Sequence, residues 1–273
     1  MIRSRDPAQE PDAMTRRSSR IVRYLNNDGV ALALETRGVG RRHLVFAHGW
    51  ISSRRMFYDV VERLDPEKFT AHLLDFRGAG WSDRPADGHD VEGYASDLRA
   101  AIRDAGRSVT LIAHSMGAKI AQFVALDPPP NLERLVLVAP GSAKAMPPNE
   151  RHRARAIAPT SMERLIDDAL IASREAWFGW YERGRGEDFF DRIGSIGLPT
   201  TVVAGELDTL APPARLRRDV AGAIPGATFV MLRNVGHNIP VEMPAELAGI
   251  IERSDPKATP ETRAGFDPDR SDD

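Results

Sequence analysis

The chain has 273 residues, 42% hydrophobic and 28% charged, which is ordinary for a globular protein and enough to bury one large core. A formal net charge of −2 gives no electrostatic reason to bind nucleic acid or an anionic membrane. With no cysteine, the sequence excludes disulfides, thiolate nucleophiles and thiolate metal sites together.

Residues 1–20 are rich in Arg, Ser, Asp and Pro and lack the apolar run of a secretory signal; residues 254–273 are similarly polar, and both stretches read as disordered tails. Two short apolar segments within 21–36 flank Asn27-Asp28-Gly29, a hairpin signal. Compact apolar runs follow at 44–47, 71–74, 109–113, 135–139, 201–204 and 228–232, each ending in a polar or glycine-bearing loop. Runs apolar on both faces suit parallel strands covered by helices. Helical patterns occupy 54–64, 93–105, 116–126, 213–223 and 245–251. A hairpin followed by this alternation predicts an α/β fold, a doubly wound and mostly parallel sheet built from 21–140 and 197–253. The rhythm breaks at 141–196, where a helical pattern at 162–173 and the aromatic group Trp177, Phe178, Trp180 and Tyr181 predict a small helical cap insertion. Such an insertion lies over the carboxyl ends of the strands, where open α/β sheets bind ligands.

The sharpest chemical signal is Ala113-His114-Ser115-Met116-Gly117, directly after an apolar run and at the start of a helix. A serine hydroxyl is a weak nucleophile unless a tight strand-to-helix turn exposes it beside a base, and small flanking residues allow that turn. Ser195 also has glycine at plus two, but it precedes a strand and reads as a loop residue. For the base, His237 is the only histidine after Asp208, and it stands between the last strand and the last helix. Asp208, just beyond the run at 201–204, is placed to orient that imidazole, with Glu206 as its nearest competitor. The loop after 135–139 offers no Asp or Glu as far as Asn149. Backbone N–H groups of Trp50 and Met116 are the candidate donors to a developing oxyanion, and His48 reads as a residue that holds its loop.

His48-Gly49-Trp50, the run from Asp75 to Ser82, the serine turn, Gly205-Glu206-Leu207-Asp208 and Gly236-His237 occur in an order that resembles the α/β-hydrolase superfamily. The likeness is greatest to its serine-nucleophile esterases, cofactor-free perhydrolases and lactonases, and it spans residues 24–251. It implies the α/β-hydrolase fold, the order nucleophile, acid, histidine, and a structural turn for the Asp75 loop with no catalytic role for Asp75 or Arg77. Ala113 replaces the first glycine of the usual serine motif, and Ala118 stands where a further glycine is common. Serine at the nucleophile position argues against the dehalogenase and epoxide-hydrolase branches, which use a carboxylate there.

The expected activity is hydrolysis of a carboxylic ester or lactone of a small, apolar substrate, without metal or organic cofactor. Carbon–carbon bond hydrolysis of a diketone, or ligand sensing with slow turnover, are the alternatives. Trp50, Trp177, Phe178, Trp180 and Tyr181 are candidate substrate contacts, or for the insertion rings, that segment's own core. No stretch approaches the roughly 20 apolar residues that span a bilayer, so a cytoplasmic monomer or homodimer without nucleic-acid or membrane partners is expected.

Overall fold

A computed structural model describes residues 20–146 and 172–254. The predicted helix at 162–173 therefore lies almost wholly outside the described residues, as do nearly all of both predicted tails. Ser254, assigned above to the second tail, ends the last helix instead.

The chain opens with β1 (Ile21–Asn27) and β2 (Val30–Arg37), an antiparallel pair joined through Asp28 and Gly29. Both turn residues have positive φ, 50° and 85°, the signature of a two-residue hairpin turn whose twist matches the strands. There follow β3 (Arg42–Ala47), a 3-10 turn at Arg54–Phe57 leading into α1 (Tyr58–Val61), and β4 (Phe69–Leu74). Helix α2 (Val91–Ala105) begins at Asp90, whose side chain accepts from Gly93 N–H at 2.9 Å, a cap that contributes about 1 kcal/mol. Next come β5 (Val109–His114), α3 (Met116–Val124) and β6 (Leu132–Val138). The described part of the insertion holds α4 (Arg174–Glu182) and 3-10 turns at Gly184–Gly186 and Phe190–Ser195. The chain then forms β7 (Thr200–Gly205), α5 (Pro213–Leu216, continued by a π turn at Arg217–Ala221), β8 (Thr228–Leu232), α6 (Ile239–Glu242) and α7 (Pro244–Ser254).

The eight strands form one sheet in the order β1-β2-β4-β3-β5-β6-β7-β8. Pairing is antiparallel at β1–β2 and β2–β4 and parallel from β4 through β3 to β8. Alternation along each strand feeds two cores. Val45 and Ala47 join the cluster under α2 and α3, while Leu44 and Phe46 join the cluster under α1 and α7. That two-sided burial is why the central strands read as unbroken apolar runs. Among the described residues no helix is long and apolar enough to cross a membrane.

Candidate active site

Strand register brings the site together. Ala47 of β3 pairs with Ala113 of β5, so Trp50 and Met116, each three residues further on, leave the same sheet edge side by side. The two loops touch: a Cβ on Gly49 would lie 3.2 Å from Ser115 Cβ. Two strands along, β7 and β8 pair through Gly205 and Leu232, which places the Asp208 loop against the His237 loop. Gly205 permits that approach, because a Cβ there would stand 2.2 Å from Gly236 O and 2.7 Å from Val235 O.

Ser115 is a half-buried residue at φ 51°, ψ −111°, a conformation that costs a non-glycine residue about 1–3 kcal/mol. The surroundings hold it there. Its N–H donates to Val138 O at 3.0 Å, and its carbonyl accepts from Ala118 and Lys119 at 3.1 Å and from Gly141 at 2.8 Å. The result is a hydroxyl raised at the start of α3, with Oγ 2.9 Å from His237 Nε2. His237 Nδ1 lies 2.7 Å from Asp208 Oδ2. An ionised carboxylate only accepts, so the proton sits on Nδ1 and Nε2 is left to accept from Ser115. Asp208 Oδ1 in turn accepts from the N–H groups of Leu210 and Ala211, both at 2.8 Å. Burial alone would raise the Asp208 pKa, but the bonds from His237, Ala211 and Leu210 outweigh it and hold the carboxyl below its ordinary value.

The competitors fall away by position. Glu206 is exposed and accepts from Asn234 N–H at 3.0 Å. Ser195 is exposed at the end of a 3-10 turn rather than in an open loop, and its hydroxyl donates to Arg192 O. His48 is buried: Nδ1–H donates to Gly49 O at 2.7 Å, and Nε2 accepts from Phe76 N–H at 3.2 Å, which ties the Trp50 loop to the Asp75 turn. Within that turn Asp75 accepts from Arg54 N–H, the Arg54 guanidinium and Trp81 N–H, while Arg77 pairs with Asp97. Among the described residues, no hydrogen bond occupies the N–H of Trp50 or of Met116.

A cavity of about 120 Å³ opens on Ser115 and His237. Of the expected aromatic contacts, Trp50 and Trp180 line it; Trp177, Phe178 and Tyr181 do not. Trp177 packs edge-on against Trp50 and accepts from its Nε1–H at 3.2 Å, Tyr181 stacks on Trp50, and Phe178 lies beneath the Arg174 guanidinium. Trp177 and Tyr181 thus back the cavity wall behind Trp50 instead of forming its inner face.

Sequence reasoning missed four titratable neighbours. His114, next to Ser115, donates from Nε2 to His237 O at 2.9 Å, and burial followed by the nearby His237 pushes its pKa down to about 3. Lys119, Arg185 and Arg215 line the cavity. A signal existed for Lys119, which is the one charge in an otherwise uncharged helix and is buried. Nothing in the sequence separates Arg185 and Arg215 from ordinary surface arginines.

The pattern of the alpha/beta hydrolase family matches residues 44–250, from within β3 to within α7. Over 255 aligned residues the chain is 25% identical to YisY, an AB hydrolase superfamily protein of Bacillus subtilis (strain 168), covering 81% of this chain and 94% of the relative. It is 29% identical over 247 residues to a 2-(acetamidomethylene)succinate hydrolase of Mesorhizobium japonicum, covering 76% and 88%. The solved structure of Est816, described as an N-acyl homoserine lactone degrading enzyme, matches with a TM-score of 0.72 at 24% identity, over 84% of this chain and 98% of that one. Strand order, the strained serine at a strand-to-helix turn and the matched pattern agree, and the chain belongs to the alpha/beta hydrolase family.

Proposed function

We propose that the protein is a serine hydrolase that cleaves a carboxylic ester or lactone of a small substrate through an acyl-enzyme. The observation that carries this reading is the unbroken hydrogen-bond chain from Asp208 through His237 to Ser115. As Ser115 Oγ bonds to the carbonyl carbon, its proton passes to His237 Nε2, and Asp208 stabilises the imidazolium that forms. The carbonyl oxygen becomes an oxyanion facing the free N–H groups of Trp50 and Met116. Collapse breaks the carbon–alkoxy bond, and Nε2–H gives its proton to the departing alkoxide. Water then enters, loses a proton to Nε2 and attacks the acyl carbon. Release of the acid returns that proton to Ser115. The relatives described as hydrolysing or degrading small acyl compounds support the same class of reaction.

The test is labelling with a fluorophosphonate together with cleavage of p-nitrophenyl acetate. The expected result is one label on Ser115, read by peptide mass, and loss of both label and turnover in Ser115→Ala. Turnover that survives this substitution overturns the reading.

A further inference from the structure

The cavity beside Ser115 has a charge that the hydrolytic reaction does not call for. Three cationic side chains line it, Lys119, Arg185 and Arg215, and no acidic side chain among the described residues does. Asp208, the carboxylate that pairs with His237, has its oxygens engaged by His237, Leu210 and Ala211.

Among the described residues, each cation has only part of its hydrogen-bonding capacity met. Lys119 lies one helical turn after Ser115, and its Nζ donates to the carbonyls of Arg185 at 3.1 Å and Glu187 at 2.6 Å. It thereby fixes the Arg185 loop over the site. Arg185 donates through Nε to Met146 O at 2.8 Å and lies over the Tyr181 ring. Arg215 donates through a terminal nitrogen to Leu210 O, while its buried Nε has no partner among the described residues. An unsatisfied buried donor is uncommon and marks a guanidinium whose local partners do not exhaust its donors. The acids nearest Lys119 are occupied elsewhere: Glu187 accepts from Val91 N–H, and Asp188 from Ala145 and Phe190 N–H.

We propose that Arg185 and Arg215 bind a carboxylate carried by the substrate in addition to its ester or lactone group, with Lys119 positioning the Arg185 loop. The inference rests on the serine-hydrolase reading of the same site. Guanidinium groups present planar paired donors that match a carboxylate and stay charged at every physiological pH, so the selection is for a permanent anion. An apolar substrate, expected from the aromatic content of the insertion, would leave these donors desolvated and unpaired.

Two matched pairs test the proposal. Monomethyl glutarate is compared with methyl glutaramate, its terminal carboxamide, for a carboxylate on the acyl side. The acetate ester of 3-hydroxypropanoate is compared with that of the corresponding amide, for a carboxylate on the alcohol side. In at least one pair the acid should exceed the amide in kcat/KM by about tenfold or more, the scale of a charge-assisted hydrogen bond. Arg185→Gln and Arg215→Gln should each lower that ratio about fivefold or more, whereas Arg217→Gln, which removes an exposed charge outside the cavity, should not. A preference below that level in both pairs, or no turnover of any of the four esters by an enzyme that cleaves p-nitrophenyl acetate, overturns the carboxylate site and leaves the hydrolase reading standing. A preference that survives both arginine substitutions overturns the assignment to these residues. Failure to cleave p-nitrophenyl acetate, with no phosphonate label on Ser115, removes the underlying reading instead.

Discussion

Mild acid should destabilise this protein through histidines that burial holds in the neutral form, His114 and His72 above all, with His43, His48 and His89 lowered in the same direction. Burial, followed by the neighbouring His237, pushes His114 down to about 3; Asp208 and the His237 carbonyl pull the other way, and His48 adds to the depression. Burial, with His43 and Arg23 nearby and Asp104 opposing, pushes His72 down to about 4. A histidine whose folded pKa lies below its unfolded value contributes its full stability above the unfolded value and loses it as the pH falls toward the folded one. The window therefore opens near pH 6.5 and extends to about 3 for His114 and about 4 for His72. At pH 5 each imidazole would be largely protonated in the unfolded chain and neutral in the fold, which costs about 2 kcal/mol apiece and about 4 kcal/mol together. Glu187, raised by burial, acts in the opposite sense, since its protonation on acidification favours the fold; Asp208, held below its ordinary value, stays charged between pH 7 and pH 5. A loss of about 4 kcal/mol is a large part of the 5–15 kcal/mol typical of a domain. The assay is urea unfolding followed by circular dichroism at pH 7 and pH 5 at fixed ionic strength, with His72→Gln expected to recover about half of the loss. A wild-type difference below about 1 kcal/mol would refute the reasoning.

Ser115→Ala should reduce kcat for p-nitrophenyl acetate by on the order of 10⁴–10⁶ with the fold intact, measured against the uncatalysed background. Asp208→Asn should lower kcat by on the order of 10⁴, because an amide no longer holds the proton on Nδ1, while Glu206→Gln should stay within about threefold of wild type; the reverse ranking would make Glu206 the acid. Gly205→Ala should lower kcat about a hundredfold, since the added Cβ must push the Gly236 carbonyl away and carry His237 with it. Wild-type kinetics in that variant would mean that the two loops are not held by this contact.

The sheet was legible because its central strands are buried on both faces and carry unbroken apolar stretches, as at Leu111–Ala113 and Leu135–Val138. The helices were less so. The pattern at 54–64 becomes a 3-10 turn and one short turn of α1, with Arg54 held inward by Glu35 and Asp75, contacts that no local periodicity reports. The pattern at 213–223 changes from α to π geometry at Arg217, and α6 is too short, at four residues, to show a period.

The triad and the cavity differ in legibility for a physical reason. Ser115, Asp208 and His237 each stand a few residues past the end of a strand, so strand register alone brings them to one edge, and register is written in the apolar runs. Arg185 belongs to an irregular stretch of 3-10 turns, and Arg215 to a helix of four residues. Neither orientation follows from hydrophobic spacing, because a guanidinium turned into a cavity and one turned to solvent look alike in sequence. The aromatic residues show the same limit. The composition of Trp177–Tyr181 suggested a pocket face, but Trp50 draws Trp177 and Tyr181 into packing behind it, leaving Trp180 to meet the cavity. On the proposed reading, the bond-breaking groups stand on the rigid sheet edge and the selectivity lies on the insertion and short connecting turns. Arginine substitutions should accordingly change which ester is preferred more than how fast Ser115 is labelled.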